Sequence, residues 1–162
     1  MEDNRQYLQI MTESLQKKKQ VLDEIMRAND AQTKVLEAEM PDWEAFDGLA
    51  DQKTELISRL DMLDEGFDSL YNHIKEALAE EAGRDKYQDE IRAMQQLIKE
   101  LTEMSMSIQA SEARNKQMVE QKFATQRQQL KTGYLSSKAA MDYYKNMRNT
   151  TNLQSQFLDS KK

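Results

Sequence analysis

An apolar heptad repeat between residues 43 and 78 is the feature that most constrains the fold of this chain. Two series of residues follow a seven-residue spacing there: Phe46, Lys53, Leu60, Phe67 and Ile74, and Leu49, Leu56, Leu63, Leu70 and Ala77. This spacing places both series on one stripe of an α-helix. Further apolar residues widen the stripe to one side: Trp43, Ile57, Tyr71 and Leu78. Because the stripe exceeds the two positions of a simple dimeric coiled coil, it predicts a long helix with more than one neighbour.

Two further segments, before and after this helix, repeat the a/d spacing. Their apolar positions are Leu8, Met11, Leu15, Leu22, Ile25 and Leu36 in the first, and Ile91, Met94, Ile98, Leu101 and Ile108 in the other. The first seam also contains three polar interruptions, at Lys18, Asn29 and Gln32. We expect the three helices to pack through Leu22, Ile25, Leu56, Leu60, Leu63, Ile91, Met94 and Ile98.

The junctions between the helices are marked by proline and glycine. Met40-Pro41-Asp42 breaks the first helix, because proline lacks the amide donor that a helix interior needs. Gly83 is predicted to end the second helix in the left-handed conformation that glycine favours. Asp85 with Gln88 three residues later resembles a capping box for the third helix. Such short connections place consecutive helices antiparallel.

The composition is typical of long helices with little other structure. Of the 162 residues, 38% are hydrophobic and 32% are charged, and there are one proline and four glycines. A globular core needs more apolar residues, about 45–50%, whereas an a/d seam uses about two positions in seven. We therefore predict an all-α protein. Residues 1–130 form an elongated antiparallel bundle or coiled coil of three long helices, and residues 131–162 form a partly ordered helical or flexible C-terminal tail.

The third seam changes character from Ser105 onward. It becomes polar through Ser111, Glu112, Asn115 and Gln126, with only intermittent apolar positions. We expect the first two helices to leave this part uncovered, and an exposed apolar surface usually marks a partner site. Methionine, of which the chain has eleven, suits surfaces that accept variable helical partners. The predicted partner-contact residues are Met118, Phe123, Leu130, Tyr134, Met141 and Tyr144.

The residues needed for catalysis or metal binding are missing. The chain has no cysteine, which excludes disulfides, zinc–thiolate sites and thiol catalysis. A di-iron bundle needs two Glu-x-x-His motifs, but His73 is the single histidine and Leu70 precedes it by three residues. We interpret His73 as a surface or boundary residue, and the carboxylates of residues 61–68 as a solvated face. Neither a catalytic triad nor a phosphate-binding loop is recognisable. The sequence therefore predicts a protein that is not an enzyme and needs no metal or cofactor.

The net charge of −6 is unevenly distributed along the chain. Residues 61–90 contain ten acidic and three basic residues, whereas residues 113–162 contain ten basic and three acidic ones. The basic residues are dispersed and lack a base-stacking motif, so no nucleic-acid binding is expected. No apolar run approaches the ~18 residues of a membrane span, and the N-terminus lacks the apolar core of a secretory signal. We expect a soluble, cytoplasmic protein with no membrane insertion.

The residues around the first junction resemble a known family. Asp42-Trp43-Glu44-Ala45-Phe46, followed by Lys53-Thr54-Glu55-Leu56-Ile57 and Leu60, is similar to flagellar export chaperones of the FlgN type. In that family a short break precedes an acidic helix start and a helix with the pattern K-x-x-L-I-x-x-L. The likeness continues through residues 63–67, Leu70-Tyr71, residues 108–110 and residues 113–115, and at the end of the chain in residues 157–162.

This resemblance implies a cytoplasmic chaperone of the flagellar type III export system, which binds hook-associated (hook–filament junction) proteins before export. It also implies that terminal helices of the client are held mainly by the C-terminal part of the chaperone. The export apparatus and a second copy of the chain are further candidate partners. The alternative is a structural coiled-coil homo-oligomer or adaptor with no export role. That alternative predicts a continuous seam, which Ser105, Asn115 and Gln126 interrupt.

Overall fold

The structure, a computed structural model, describes residues 4–126 and 142, and this part of the chain is helical without any strand. Its four helices are α1 (Arg5–Glu37), α2 (Trp43–Ala79), α3 (Glu81–Lys86) and α4 (Gln88–Gln126). The predicted all-α class is confirmed. At 1.5 Å per residue, the 39 residues of α4 extend over roughly 60 Å. None of the helices within residues 4–126 has a stretch long and apolar enough to cross a bilayer.

The central helix is α1, which packs against both α2 and α4. It runs antiparallel to α2, because Lys18 pairs with Asp64 and, further along α1, Asn29 pairs with Lys53. The connection spans residues 38–42, so the predicted break at Met40-Pro41-Asp42 is confirmed. Pro41 is buried, and the side chain of Asp42 caps α2 by accepting a hydrogen bond from a backbone N–H of its first turn.

The contact between α1 and α4 is parallel. Arg5 pairs with Glu90 near the start of both helices, and Lys19 pairs with Glu100 further along. No Cα atoms of α2 and α4 lie within 8 Å of each other. The direction of α2 is therefore opposite to that of α1 and of α4, but α4 packs against α1 and not against α2.

The main core lies along α1 between the two flanking helices. Of the eight predicted packing residues, seven are buried in it and Leu63 is half-buried against it. The buried ones are Leu22, Ile25, Leu56, Leu60, Ile91, Met94 and Ile98. Tyr87 closes the core at the start of α4, where its hydroxyl accepts a hydrogen bond from the backbone N–H of Asn4 at 3.1 Å.

The corner between α2 and α4 differs from the prediction. α2 ends at Ala79, and Gly83 lies inside α3 without a left-handed backbone, so its predicted role as a helix end is wrong. A Cβ at this position would collide with the carbonyl oxygen of Ala77, so glycine is required here by a close backbone approach. The predicted capping box is also wrong, because Asp85 is a residue of α3 and not the residue that precedes α4.

Candidate functional site

A second, smaller apolar cluster lies where the end of α1, the start of α2 and the later part of α4 meet. We name it the end cluster. Its buried members are Leu36, Phe46 and Val119, and its half-buried members are Val35, Trp43, Met118 and Phe123. The rings of Trp43 and Phe46 meet edge to face, with centroids 5.9 Å apart. Within the described part of the chain, three side chains of the end cluster are fully buried, so it is a smaller core than the one along α1.

Two of the six predicted contact residues belong to the end cluster. Met118 and Phe123 lie on α4, and both side chains remain half-exposed. The other four are Leu130, Tyr134, Met141 and Tyr144, and they lie outside the described residues. The structure therefore brings Met118 and Phe123 together with apolar residues from α1 and α2.

The expectation that α4 is uncovered from Ser105 onward is wrong. Ser105, Ile108, Glu112, Asn115 and Val119 are all buried. Glu112 and Asn115 of this late seam do not face water, because polar groups of α1 and α2 form hydrogen bonds with them inside the protein.

A buried polar layer separates the main core from the end cluster. It consists of Asn29, Gln32 and Thr33 of α1, Lys53 of α2, and Glu112 and Asn115 of α4. At its centre, Lys53 Nζ donates to Glu112 Oε1 at 2.5 Å and to Asn29 Oδ1 at 2.9 Å. The Lys53 and Glu112 side chains are only 1% and 0% exposed. This ion pair spans the wide gap between α2 and α4, which explains why two long side chains are needed there.

Hydrogen bonds to α1 complete the polar layer. Asn115 Nδ2 donates to the Asn29 carbonyl at 3.1 Å, and Asn115 Oδ1 lies 2.7 Å from the Thr33 hydroxyl. Gln32 Nε2 donates to the Phe46 carbonyl at 3.2 Å. Not every polar atom is satisfied: Gln32 Oε1 and the nearby Ser111 hydroxyl are buried without a hydrogen-bond partner. Unsatisfied buried groups are costly, so the layer holds the helices together less strongly than an apolar layer of equal size would.

The charges of the central pair depend on each other. Burial lowers the pKa of Lys53, and the carboxylate of Glu112 partly offsets that effect. Burial likewise raises the pKa of Glu112, and the ammonium group of Lys53 opposes the rise. Each partner is therefore the main electrostatic support for the charged form of the other.

The described part of the chain has further titratable groups outside the polar layer. His73 is exposed, and its ring centroid lies 4.5 Å from that of Tyr7. Partial burial raises the pKa of Asp61, and the nearby carboxylates of Asp64 and Glu65 raise it further. Across residues 4–126 and 142, no group of three or more histidine, aspartate or glutamate side chains is placed to hold a metal ion.

The helical body thus carries a partly exposed apolar cluster at one end, with a buried polar layer beside it. The family model described as FlgN protein matches residues 1–141, so the chain belongs to the FlgN family. This is a family of flagellar export chaperones and not a known family of enzymes. Neither a curated protein nor a solved structure matches the chain.

Proposed function

We propose that this protein binds hook-associated proteins, which form the hook–filament junction, in the cytoplasm before their type III export. Membership of the FlgN family over residues 1–141 is the observation that supports this most directly. By keeping the terminal helices of its clients covered, the chaperone prevents them from associating before they reach the growing filament.

The proposed client site begins at the end cluster and continues into the C-terminal part of the chain. Met118 and Phe123 are half-exposed apolar side chains beside a small core, which is the environment in which an added helix gains most by covering them. A client's amphipathic helix would contact them in the helix-in-groove manner. The further proposed contacts are Leu130, Tyr134, Met141 and Tyr144, of which all but Tyr144 fall within the matched range. In this proposal residues 1–130 form an elongated bundle and residues 131–162 form the tail.

The test uses the full-length chain and purified hook–filament junction proteins from the same flagellar operon. Replacing Met118 and Phe123 together by glutamate should weaken client binding by about tenfold or more, since loss of one apolar anchor often costs ~2 kcal/mol. Met62→Glu is the matched control, because Met62 is 72% exposed on α2 and lies outside both apolar clusters. Titration calorimetry measures the affinity, and circular dichroism verifies that each variant is folded.

Substitutions in the tail test the rest of the proposed surface. Tyr134→Ala and Tyr144→Ala should each weaken binding without changing the melting temperature of the helical body. If wild-type protein binds no junction protein and instead forms stable homo-oligomers by light scattering, the structural alternative replaces the chaperone proposal. If the Met118/Phe123 variant binds as tightly as the Met62 control, the client site lies elsewhere on the protein.

A further inference from the structure

The two halves of α4 are held in different ways. In the first half, the buried residues are apolar: Ile91, Met94, Ile98 and Leu101. Among residues 105–124, whose burial the structure describes, the buried positions are mostly polar: Ser105, Ser111, Glu112 and Asn115, with Ile108 and Val119 as the apolar exceptions. Apolar burial is the main stabilising contribution in such an interface. The second half is therefore held by much less hydrophobic stabilisation than the first.

The polar contacts of the second half do not make up this difference. A buried ion pair such as Lys53–Glu112 contributes little net stability, because desolvation of both charges offsets their attraction. Lys122 of the second half donates to the Ala38 carbonyl at 3.0 Å, a single hydrogen bond near the surface of the protein. Segments with little apolar burial open locally at lower free energy than the rest of a protein.

Opening of residues 105–126 would leave a specific surface on α1 and α2. Leu36 and Phe46, both fully buried in the closed form, would lose Val119 as their partner. Lys53 would keep Asn29 but lose the carboxylate of Glu112. A helix that takes this place must therefore supply an acceptor for the ammonium group, since an uncompensated buried charge is strongly destabilising. It must also present an apolar side chain two turns later, as Val119 follows Glu112 by seven residues.

We propose that residues 105–126 of α4 open as a unit separate from residues 88–104, and that the vacated place accepts an amphipathic client helix. That client helix has a carboxylate facing Lys53 and an apolar residue seven positions further on, facing Leu36 and Phe46. The opened segment then covers the outer side of the client helix, so that Met118 and Phe123 remain client contacts. The identity of the helix as part of a client rests on the proposed chaperone function. The opening itself is a property of the free protein.

Hydrogen exchange of the free, full-length protein tests the opening. Amides of residues 105–126 should exchange about tenfold or more faster than those of residues 91–104. Lys53→Met combined with Glu112→Leu replaces the ion pair by apolar side chains and should slow the exchange of residues 105–126. The matched control replaces the α1–α2 ion pair, with Lys18→Met and Asp64→Leu, and should leave that exchange unchanged. Equal exchange in both halves of α4 would overturn the proposal.

Binding of purified hook–filament junction proteins tests whether a client helix occupies the place beside α1 and α2 that residues 105–126 leave. The Lys53→Met/Glu112→Leu variant should bind them about tenfold more weakly than the Lys18→Met/Asp64→Leu control does, because its α4 stays closed. Lys53→Met alone should speed exchange of residues 105–126 and yet weaken binding, because the client's carboxylate has lost its partner. Undiminished binding by either Lys53 variant would refute the proposed site. If even wild-type protein binds no junction protein, the chaperone proposal fails, while the exchange experiment still decides the opening.

Discussion

Removing one member of the Lys53–Glu112 pair should destabilise the protein more than removing both. Lys53→Met leaves the Glu112 carboxylate, which is 0% exposed, without its cation, and Glu112→Leu leaves the buried ammonium group of Lys53 without an anion. Breaking a buried pair in this way costs about 3–5 kcal/mol. Replacing both partners by apolar residues of similar volume is neutral or stabilises by about 1–4 kcal/mol. The double variant should therefore recover most or all of the stability that either single variant loses.

The two single variants should respond to pH in opposite directions. In Lys53→Met, the pKa of Glu112, already raised by burial, loses the cation that opposed the rise. A folded-state pKa above the unfolded value stabilises the fold at low pH, and this stabilisation is lost as the pH rises through it. The loss of unfolding free energy in Lys53→Met, relative to wild type, should therefore become smaller on acidification. In Glu112→Leu, the pKa of Lys53, already lowered by burial, falls further because the carboxylate that raised it is gone. The loss of unfolding free energy in that variant should therefore become smaller as the pH rises.

The free energy of unfolding is measured for wild type, the two single variants and the double variant. Urea unfolding is followed by circular dichroism at about pH 5 and about pH 8 and extrapolated linearly to water. Differences from wild type at each pH remove the contribution of the other titrating groups. A double variant as unstable as the less stable single variant would contradict the expected recovery of stability. A change with pH in the same direction for both single variants would contradict the expected opposite responses.

Two further predictions concern the helix ends and the corner. Gly83→Ala should destabilise the protein by about 1–3 kcal/mol, because its Cβ meets the rigid backbone carbonyl of Ala77. Gly66→Ala is the control: a Cβ there has nothing within 4 Å, so this change should stabilise α2 by up to ~1 kcal/mol, and a melting curve distinguishes the two. Asp42→Ala should cost about 0.5–2 kcal/mol in urea unfolding, because it removes the side-chain acceptor 3.1 Å from the Ala45 N–H. An unchanged unfolding midpoint would show that this cap contributes nothing.

The helices and most of their buried faces could be predicted from the sequence because both depend on local spacing. The seven-residue repeats identify which side of each helix is buried, and Pro41 ends a helix whatever surrounds it. The corner at Gly83 could not be predicted in this way. A glycine that permits a left-handed turn and one that permits a close approach to Ala77 look the same in a sequence, since the second depends on a contact between two helices.

The polar layer also depends on contacts between helices, so sequence spacing does not predict it. The interruptions at Asn29, Lys53 and Glu112 are visible in three separate seams, and taken alone the polar seam in the late part of α4 predicts an uncovered surface. In the structure these residues lie at the same level and form hydrogen bonds with each other. This depends on how the three helices align along their axes, which the pattern of one helix does not specify. Of the candidate site, Met118 and Phe123 are brought together with the end cluster. Their contact with a client remains a prediction.

The polar layer also sets the alignment of the helices. A heptad seam is periodic, so sliding α4 along α1 and α2 by seven residues would keep many apolar side chains facing apolar partners. The same slip would bring Ser105 or Val119 to the level of Lys53 in place of Glu112. It would bury one lysine without an anion and displace one glutamate from its cation, at a cost of several kcal/mol. Among the registers of α4 that differ by seven residues, the observed one therefore pairs Lys53 with Glu112 and leaves neither charge buried without its partner.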